Sequence, residues 1–336
     1  MNDTRETRAL RTAVIGGGAI GLRHLEALAQ VEELEACAVV ELNEAQRHAL
    51  AAQFGIRAYA SMETMLEAER PALAIVALPH HLHVSAALLC IEYGCHLLLE
   101  KPMANTVADC DRIIEAAERR GVQIMVGHTQ HYLPENRAAK SWLAGGELGQ
   151  LVMAHDIRHV NYFREDRPAW FFDREAAGGG IMMNLGAHSI DKLQWLTDSR
   201  VLRVKAALTY LGGRGNVEGS GMLMLALSGG FSATIVQSGY AGAARSETEL
   251  IFAGGMLRIV AGEGVYVSRG GTYEPIEVPA SEAPLVLQLR DFCRCLRTGE
   301  EPECSGAYSR SVIETLESVY RSHESGAEEA VGGGRA

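Results

Sequence analysis

Residues 12–21 read Thr-Ala-Val-Ile-Gly-Gly-Gly-Ala-Ile-Gly, a short apolar run that ends in a glycine-rich turn. An amphipathic stretch follows from Leu22 to Gln30, and a second apolar run, Ala36 to Val40, ends at Glu41. A strand, a tight turn, a helix and a second strand in this order are typical of the start of a doubly wound parallel sheet. This stretch therefore decides the fold of the N-terminal part of the chain.

The alternation of apolar runs and helical stretches continues to about residue 128. Further strand-like runs are Ala72 to Leu78, His96 to Leu99 and Val122 to Val126, and further helical stretches are Asn43 to Phe54, Val84 to Tyr93 and Val107 to Arg120. Short apolar runs that alternate with helices indicate a parallel sheet that is buried on both faces. We therefore expect an α/β domain of the doubly wound Rossmann type over residues 1–128.

The second half of the chain has a different pattern. Strand-like runs are Val201 to Tyr210, Met222 to Leu227, Phe231 to Gln237, Glu249 to Phe252, Leu257 to Val260 and Gly264 to Ser268. The glycine pairs between some of these runs favour antiparallel strands. We expect an α+β domain over residues 129–323 that binds substrate and has an open, mainly antiparallel sheet. Its outer face is a candidate subunit interface, and residues 324–336 are expected to be disordered.

Composition excludes several classes of function. The net charge of the 336 residues is −11, which argues against a nucleic-acid partner because such a partner needs a basic face. No apolar run approaches the roughly 18 residues of a membrane span, and the polar start has no signal core. The seven cysteines lie mostly in apolar stretches, and the spacing of Cys293 and Cys295 is unlike that of zinc sites. We expect a cytoplasmic protein without a metal or a membrane partner.

The glycine turn Gly16-Gly17-Gly18-Ala19-Ile20-Gly21 fits the dinucleotide fingerprint G-x-G-x-x-G. In that fingerprint the first glycine makes the turn, the second lets the backbone approach a pyrophosphate, and the third lets the helix pack closely on the strand. The helix that starts at Ala19 would offer free N–H groups to the phosphates. A purely structural glycine turn is the alternative interpretation.

Glu41 follows the second strand at the position where a carboxylate binds the adenosine ribose. It would accept hydrogen bonds from both ribose hydroxyls and repel a 2′-phosphate. The residues after it, Leu42, Asn43 and Glu44, include no basic side chain, so NAD is favoured over NADP. A solvated glutamate at the strand end is the alternative.

A glycine run, Gly178 to Gly180, precedes a helical stretch that carries polar side chains. On a regular helix Asn184, His188, Asp191 and Trp195 would share one face. We expect this stripe to line a cleft beside a flexible glycine hinge. The alternative is a solvated helix face with an incidental histidine.

Several motifs together resemble the glucose–fructose oxidoreductase/inositol dehydrogenase (Gfo/Idh/MocA) family. The glycine turn continues to His24 as GGGAIGLRH, and Pro79-His80-His81-Leu82-His83 is similar to the family's proline-to-histidine loop. Glu100-Lys101-Pro102 matches its EKP signature, and Gly178 to Asp191 resembles its glycine-led helix with a catalytic histidine. A zinc site at the clustered histidines is the alternative interpretation of the loop, although relatives of this type need no metal.

The resemblance implies roles for individual residues. Lys101 would stabilise the alkoxide that develops on the reacting oxygen, and His188 would be the general base or acid. Asn184 stands where many relatives have Asp, so it can orient the substrate but cannot take its proton. The cofactor-binding set is expected to be Gly16, Gly18, Ala19, Ile20, Gly21, Glu41, Pro79, His83, Glu100 and Lys101; the substrate-binding set is expected to be Asn184, Tyr162, Arg164 and Trp170.

The leading hypothesis for function is an NAD-dependent dehydrogenase or reductase. It would transfer a hydride between nicotinamide and a hydroxyl carbon of a sugar-like or cyclic-polyol substrate. A glycoside-cleaving enzyme that uses NAD transiently is one alternative, and a non-catalytic NAD- or sugar-sensing regulator is another. A homodimer or homotetramer through the C-terminal sheet is expected, as in relatives.

Overall fold

The computed structural model describes residues 9–332, which divide into two compact units. The first comprises residues 9–104, 108–127 and 282–309, and the second comprises residues 105–107, 128–281 and 310–332. Residues 282–309 were expected in the second domain. They join the first unit because the helix Pro284–Thr298 packs its apolar face against the helix Ala19–Leu28. No helix within residues 9–332 combines the length and apolar character that a bilayer crossing requires.

Six parallel strands form the central sheet of the first unit. They are β1 (Leu10–Ile15), β2 (Leu34–Val40), β3 (Arg57–Tyr59), β4 (Leu73–Val76), β5 (His96–Leu99) and β6 (Ile124–Val126). Their order is β3-β2-β1-β4-β5-β6, so the order reverses between β1 and β4. All four residues of β4 are buried, as expected for a strand covered on both faces. The predicted doubly wound parallel sheet is confirmed.

Helices cover this sheet. They are α1 (Ala19–Leu28), α2 (Glu44–Phe54), α3 (Met62–Glu69), α4 (His83–Glu92) and α5 (Val107–Arg120). The side chain of Asn43 accepts the N–H of Gln46 and caps α2, and the Ser61 side chain accepts the N–H of Thr64 and caps α3. These caps fix where each helix begins after its strand.

The second unit is built on a nine-stranded sheet. Its strands are β7 (Leu151–His159), β8 (Val201–Thr209), β9 (Ser220–Leu227), β10 (Ser232–Ser238), β11 (Arg245–Phe252), β12 (Gly255–Val260), β13 (Gly264–Ser268), β14 (Glu274–Ile276) and β15 (Glu329–Ala330). The order is β14-β13-β12-β11-β7-β10-β9-β8-β15, in which only the described pair β7 and β10 is parallel. The predicted, mainly antiparallel sheet is confirmed.

The remaining helices complete the chain. They are α6 (Pro134–Leu143), α7 (Arg174–Ala177), α8 (Ala187–Thr197), α9 (Pro284–Thr298) and α10 (Gly306–Ser325). One face of the nine-stranded sheet carries buried side chains, such as Leu223 and Leu225 of β9. On the other face Met222 and Met224 are 63% and 55% exposed. The expected partly apolar outer face is therefore present.

The prediction of a disordered tail from residue 324 is wrong for residues 324–332. Helix α10 runs to Ser325, and β15 pairs antiparallel with β8, where Glu329 is opposite Val204. The backbone N–H of Val331 also donates to the carbonyl oxygen of Leu202. A strand of two residues has no sequence pattern of its own, so the glycine-rich and charged composition was misleading. Residues 333–336 lie outside the described part of the chain.

Candidate active site

The predicted cofactor-binding segments each follow a strand of the first unit. The glycine turn follows β1, Glu41 follows β2, the Pro79 loop follows β4, and Glu100-Lys101 follows β5. Because the carboxyl ends of parallel strands meet at one edge of a sheet, these segments share that edge, which we call the carboxyl edge. The strand order reverses there between β1 and β4, the place where doubly wound sheets bind ligands.

The three fingerprint glycines are required for different reasons. Gly16 has a φ of +99°, and a Cβ on it would lie 2.3 Å from the carbonyl oxygen of Ala77. A Cβ on Gly21 would lie 1.9 Å from the carbonyl oxygen of Gly16, so α1 could not pack as it does. A Cβ on Gly18 would meet no atom within 4 Å. Gly16 and Gly21 thus serve the packing of the protein, whereas Gly18 keeps the surface open to a ligand.

The N-terminus of α1 is open to an anion. Gly18 is its N-cap residue and offers no side-chain cap. Gly18 and Ala19 are exposed and Ile20 is half-exposed, so the first N–H groups of the helix are accessible. Free N–H groups and the positive end of the helix dipole favour phosphate at this position. The residues present therefore fit the pyrophosphate of a dinucleotide.

Glu41 is held by the backbone around it. One carboxylate oxygen accepts the N–H of Gly17 at 2.9 Å, and the other accepts the N–H of Asn43 at 2.8 Å. Each oxygen keeps a further lone pair for a ribose hydroxyl. The structure also places a cation nearby, because Arg47 donates to the carbonyl oxygens of Glu41 and Leu42 at 2.8 and 3.1 Å. Arg47 lies in the first turn of α2, three residues after Glu44.

Glu100 is a buried carboxylate at the end of β5. One of its oxygens lies 2.8 Å from Nε2 of the fully buried His24. Burial raises the pKa of Glu100, but the hydrogen bond and charge of His24 and the charge of Lys101 outweigh burial, so the pKa is lowered. Glu100 therefore remains ionised beside Lys101, which is half-buried and precedes Pro102 through a cis peptide bond.

His83 joins two of the loops at the carboxyl edge. Its Nδ1 lies 2.9 Å from the carbonyl oxygen of Pro102, and its Nε2 lies 2.9 Å from the carbonyl oxygen of Leu78. Burial lowers the pKa of His83, although these carbonyl groups raise it in part. The ring is fully buried, and its expected contact with the cofactor stays a prediction. His83 fixes the Pro79 loop against the loop that contains Lys101.

In the second unit, Asn184 and His188 lie on one continuous helical segment, residues 181–197. The segment is not a regular α-helix, because Met182–Gly186 forms a π-helix that leads into α8. Asn184 lies in the π-helical turn and is buried, whereas His188 lies in the first turn of α8 and is half-buried. The prediction that Asn184, His188, Asp191 and Trp195 share one face of a regular α-helix is therefore wrong. Such π-helical turns occur frequently at functional sites.

Asp191 and Trp195 do not line an open surface, as the predicted stripe required. Asp191 is fully buried and accepts a hydrogen bond from Nε2 of His131 at 2.7 Å, with Nδ1 of His128 at 3.5 Å. Burial raises the pKa of Asp191, but His128 and His131 outweigh burial and hold the pKa well below its usual range. Trp195 stacks on His131 with ring centroids 4.5 Å apart. These side chains anchor α8 from inside the unit.

The remaining predicted substrate-binding residues lie in and after the loop that follows β7. Tyr162 is fully buried, and the guanidinium of Arg167 lies 4.2 Å from its ring centroid. Burial raises the pKa of Tyr162 to about 12, while neighbouring Asn184 and Arg167 lower it in part. Direct contact of Tyr162 with substrate stays a prediction. Arg164 is exposed and pairs with a neighbouring carboxylate, and Trp170 is half-exposed.

Comparison with known proteins identifies both halves of the chain. The N-terminal part, residues 10–128, matches the model of an oxidoreductase family with an NAD-binding Rossmann fold. Residues 136–258 match the model of the GFO/IDH/MocA C-terminal domain. The two models together cover more than half of the chain.

Curated relatives and solved structures agree with this assignment. A 1-carboxy-3-chloro-3,4-dihydroxycyclohexa-1,5-diene dehydrogenase of Comamonas testosteroni is 29% identical over 49% of this chain and 42% of its own length. Inositol 2-dehydrogenase 1 of Saccharopolyspora erythraea is 28% identical over 58% of this chain and 56% of its own length. The match thus spans about half the length of these relatives.

A solved structure matches nearly the whole chain. It is that of GenD2, from gentamicin A biosynthesis, in complex with NAD. It has a TM-score of 0.85 and 25% identity, and the match covers 96% of each chain. With the two family models and the fingerprint geometry, this likeness establishes that the chain belongs to the Gfo/Idh/MocA family of oxidoreductases.

Proposed function

We propose that the protein is an NAD-dependent dehydrogenase that transfers a hydride between a CH–OH carbon of a sugar-like or cyclic-polyol substrate and nicotinamide. The observation that carries this proposal is the construction of the carboxyl edge. There the open Gly18 turn, the backbone-held Glu41 and the Glu100-Lys101 pair follow β1, β2 and β5 of one parallel sheet. Family membership makes the same chemistry the first expectation.

The cofactor proposed is NAD, with NADP disfavoured. The N–H groups at Ala19 and Ile20 would hold the pyrophosphate, and the Glu41 carboxylate would accept the ribose hydroxyls. A 2′-phosphate would meet the negative charge of Glu41, although Arg47 lies close enough to reduce that repulsion. When bound, the nicotinamide ring supplies the hydride acceptor or donor.

Three residues are proposed to act on the substrate. Lys101 would donate a hydrogen bond to the reacting oxygen and stabilise its developing negative charge. His188 would take the hydroxyl proton in the oxidation direction and return it in reduction, since an imidazole titrates near neutral pH. Asn184 would orient the substrate by hydrogen bonding. Tyr162 is proposed to hold the side chain of Asn184 in place, because its buried hydroxyl adjoins Asn184.

The substrate class is proposed from the chemistry and from relatives. Two relatives are named for hydroxylated six-membered carbocycles, one of which also carries a carboxylate. Arg164, exposed in the loop after β7, is a candidate contact for such a group, and half-exposed Trp170 could pack against a ring. A neutral cyclic polyol or sugar is proposed first, and a carboxylated ring second.

A homodimer or homotetramer in the cytoplasm is the proposed assembly. Strands β7 and β9 pair on either side of β10 and place Met153, Met222 and Met224 on the outer face of the nine-stranded sheet, where they are 41%, 63% and 55% exposed. Apolar side chains in such a patch favour burial against a second copy. Sedimentation at micromolar concentration is the check, and a monomer throughout would refute this assembly.

The experiment that tests the function is NADH formation by the purified protein with NAD and a panel of inositols, aldoses, sugar acids and hydroxylated cyclohexadiene carboxylates. Lys101→Ala and His188→Ala serve as controls for catalysis by a contaminant. A strong signal with one substrate group, lost in both variants, supports the proposal. Confirmed NAD binding without NADH formation from any compound contradicts it and favours transient use of NAD or sensing.

A further inference from the structure

One residue of the second unit, Glu218, binds the start of the helical segment 181–197. The carboxylate of Glu218 accepts the backbone N–H groups of Gly180 and Met182, each at 2.9 Å. The backbone carbonyl oxygen of Glu218 accepts the N–H of Ile181 at 3.1 Å. One residue thereby binds three consecutive N–H groups. At the start of a helix such groups have no intrahelical partners.

The glycines before this segment are closely packed and do not form the flexible hinge that the sequence suggested. A Cβ on Gly180 would lie 2.2 Å from the carbonyl oxygen of Glu218. A Cβ on Gly179 would lie 1.9 Å from the hydroxyl oxygen of Tyr320. Both glycines are therefore required so that the chain can approach Glu218 and Tyr320, and the prediction of a flexible hinge is wrong.

Tyr320 holds the carboxylate from the other side. This residue of α10 donates its hydroxyl hydrogen to Glu218 at 2.9 Å. Glu218 is 1% exposed, and burial raises its pKa, while the hydrogen bonds from Gly180, Met182 and Tyr320 lower it in part. A buried carboxylate needs such donors to remain in place. The geometry thus describes a clamp, consisting of Glu218 and Tyr320, at the start of the segment.

The far part of the same segment is also fixed. Asp191 binds His131, and the ammonium of Lys192 lies 2.6 Å from the buried carboxylate of Asp156. His188 lies between these anchors and the clamp. Both ends are held by buried polar contacts, so release of either end is expected to let the side chains between them move.

We propose that Glu218 is a positioning residue for His188 and Asn184, with Tyr320 as its support. The expected effect on kcat rests on the proposed function. The expected effect on the position of the segment does not. Glu218 is 1% exposed, and its proposed role requires no contact with cofactor or substrate. It acts by holding the backbone N–H groups at residues 180 and 182, from which the segment continues to both side chains.

The kinetic test compares Glu218→Ala, Glu218→Gln and a matched control. Glu135→Ala is the control, since Glu135 is a buried carboxylate of the same unit that accepts one loop N–H, that of Gly262. Loss of the clamp is expected to lower kcat by about 10- to 100-fold with little change in NADH affinity, as a displaced catalytic group does. Glu218→Gln keeps one acceptor oxygen and should lie between Glu218→Ala and the wild type.

A structural readout separates failure of this inference from failure of the proposed function. Amide hydrogen exchange resolved by residue should accelerate at Gly180 and Met182 in Glu218→Ala, while Ile181 keeps its backbone acceptor. The imidazole resonance of His188, assigned with His188→Asn, should shift in Glu218→Ala and not in Glu135→Ala.

The outcomes are distinct. A wild-type protein that oxidises no substrate would refute the proposed function. Amide hydrogen exchange and the His188 resonance would still show whether Glu218 positions the segment. Unchanged exchange, an unchanged His188 resonance, or a normal kcat in Glu218→Ala would overturn the inference. An equal fall in kcat for Glu135→Ala would also overturn it, because the effect would then be a general loss of stability.

Discussion

Removal of the charge on Glu41 should change the preference between NADH and NADPH. Glu41→Gln keeps the size of the side chain and one acceptor oxygen, but it removes the negative charge that a 2′-phosphate would meet. The Glu41 carboxylate is half-exposed and is held by the N–H groups of Gly17 and Asn43. Glutamine can accept only one of these two N–H groups, so Glu41→Gln removes the charge together with one hydrogen bond to the backbone.

The size of the effect follows from the exposure of Glu41. Two unit charges about 4 Å apart interact by about 1 kcal/mol in water and by about 4 kcal/mol near a protein surface. For a half-exposed group beside the cation Arg47, we expect about 1–2 kcal/mol, which is roughly a 5- to 30-fold gain in NADPH affinity. NADH should lose about fivefold, because hydrogen bonds to an uncharged acceptor are about 1 kcal/mol weaker.

The assay is a pair of binding titrations, with NADH and with NADPH, on the wild type, Glu41→Gln and Glu41→Gln/Arg47→Gln. NADPH should bind more tightly to the single variant and lose part of that gain in the double variant, because the Arg47 guanidinium lies beside Glu41. An unchanged ratio of the two dissociation constants in Glu41→Gln would refute the role given to this carboxylate.

The remaining predictions concern other parts of the protein. Lys101→Ala and His188→Ala should each lower turnover by about a hundredfold or more in steady-state assays with NADH binding retained; near-normal turnover in both would contradict their roles. Gly18→Val should weaken NADH binding by about tenfold, about 1.4 kcal/mol, at an unchanged Tm, whereas Gly21→Ala should reduce the free energy of unfolding by about 1–3 kcal/mol through overpacking. If Gly18→Val lowered the Tm and Gly21→Ala did not, the roles given to Gly18 in binding and Gly21 in packing would be contradicted. Asp191→Asn should lower the free energy of unfolding by about 3–5 kcal/mol at pH 7. Because the folded pKa of Asp191 is lowered, its contribution is present above the unfolded pKa, 3.8, and is lost as the pH falls below it, so denaturation curves of wild type and variant should converge in acid. A constant gap down to the acid transition would contradict the lowered pKa.

The carboxyl edge could be predicted from sequence because each of its parts is local. A strand end is marked by the end of an apolar run, so the positions of the glycine turn, Glu41 and Glu100 follow directly from the strands. In a parallel sheet all these ends share one edge, and no long-range information is needed to bring them together. The placement of these segments at one edge of the sheet could therefore be predicted from sequence, and their contact with the cofactor stays a prediction.

The supports in the second unit could not be predicted in this way. His131 and Asp191 are 60 residues apart, and Glu218 is 38 residues from Gly180, so no local pattern joins them. The π-helical turn shifts the phase of the segment and invalidated a stripe drawn on a regular helix. Tyr162, predicted to bind substrate, is buried because the aromatic rings near it pack into a cluster. The triple glycine indicates close packing against Glu218 and Tyr320 and not flexibility.

The most direct test of the central claim is isotope transfer. The substrate that responds in the panel would be prepared with deuterium on the reacting carbon and incubated with the protein and NAD. We predict that deuterium appears at the reactive carbon of the nicotinamide in amounts equal to the oxidised product. Deuterium retained in the product, or absent from the reduced cofactor, would contradict net hydride transfer from substrate to NAD.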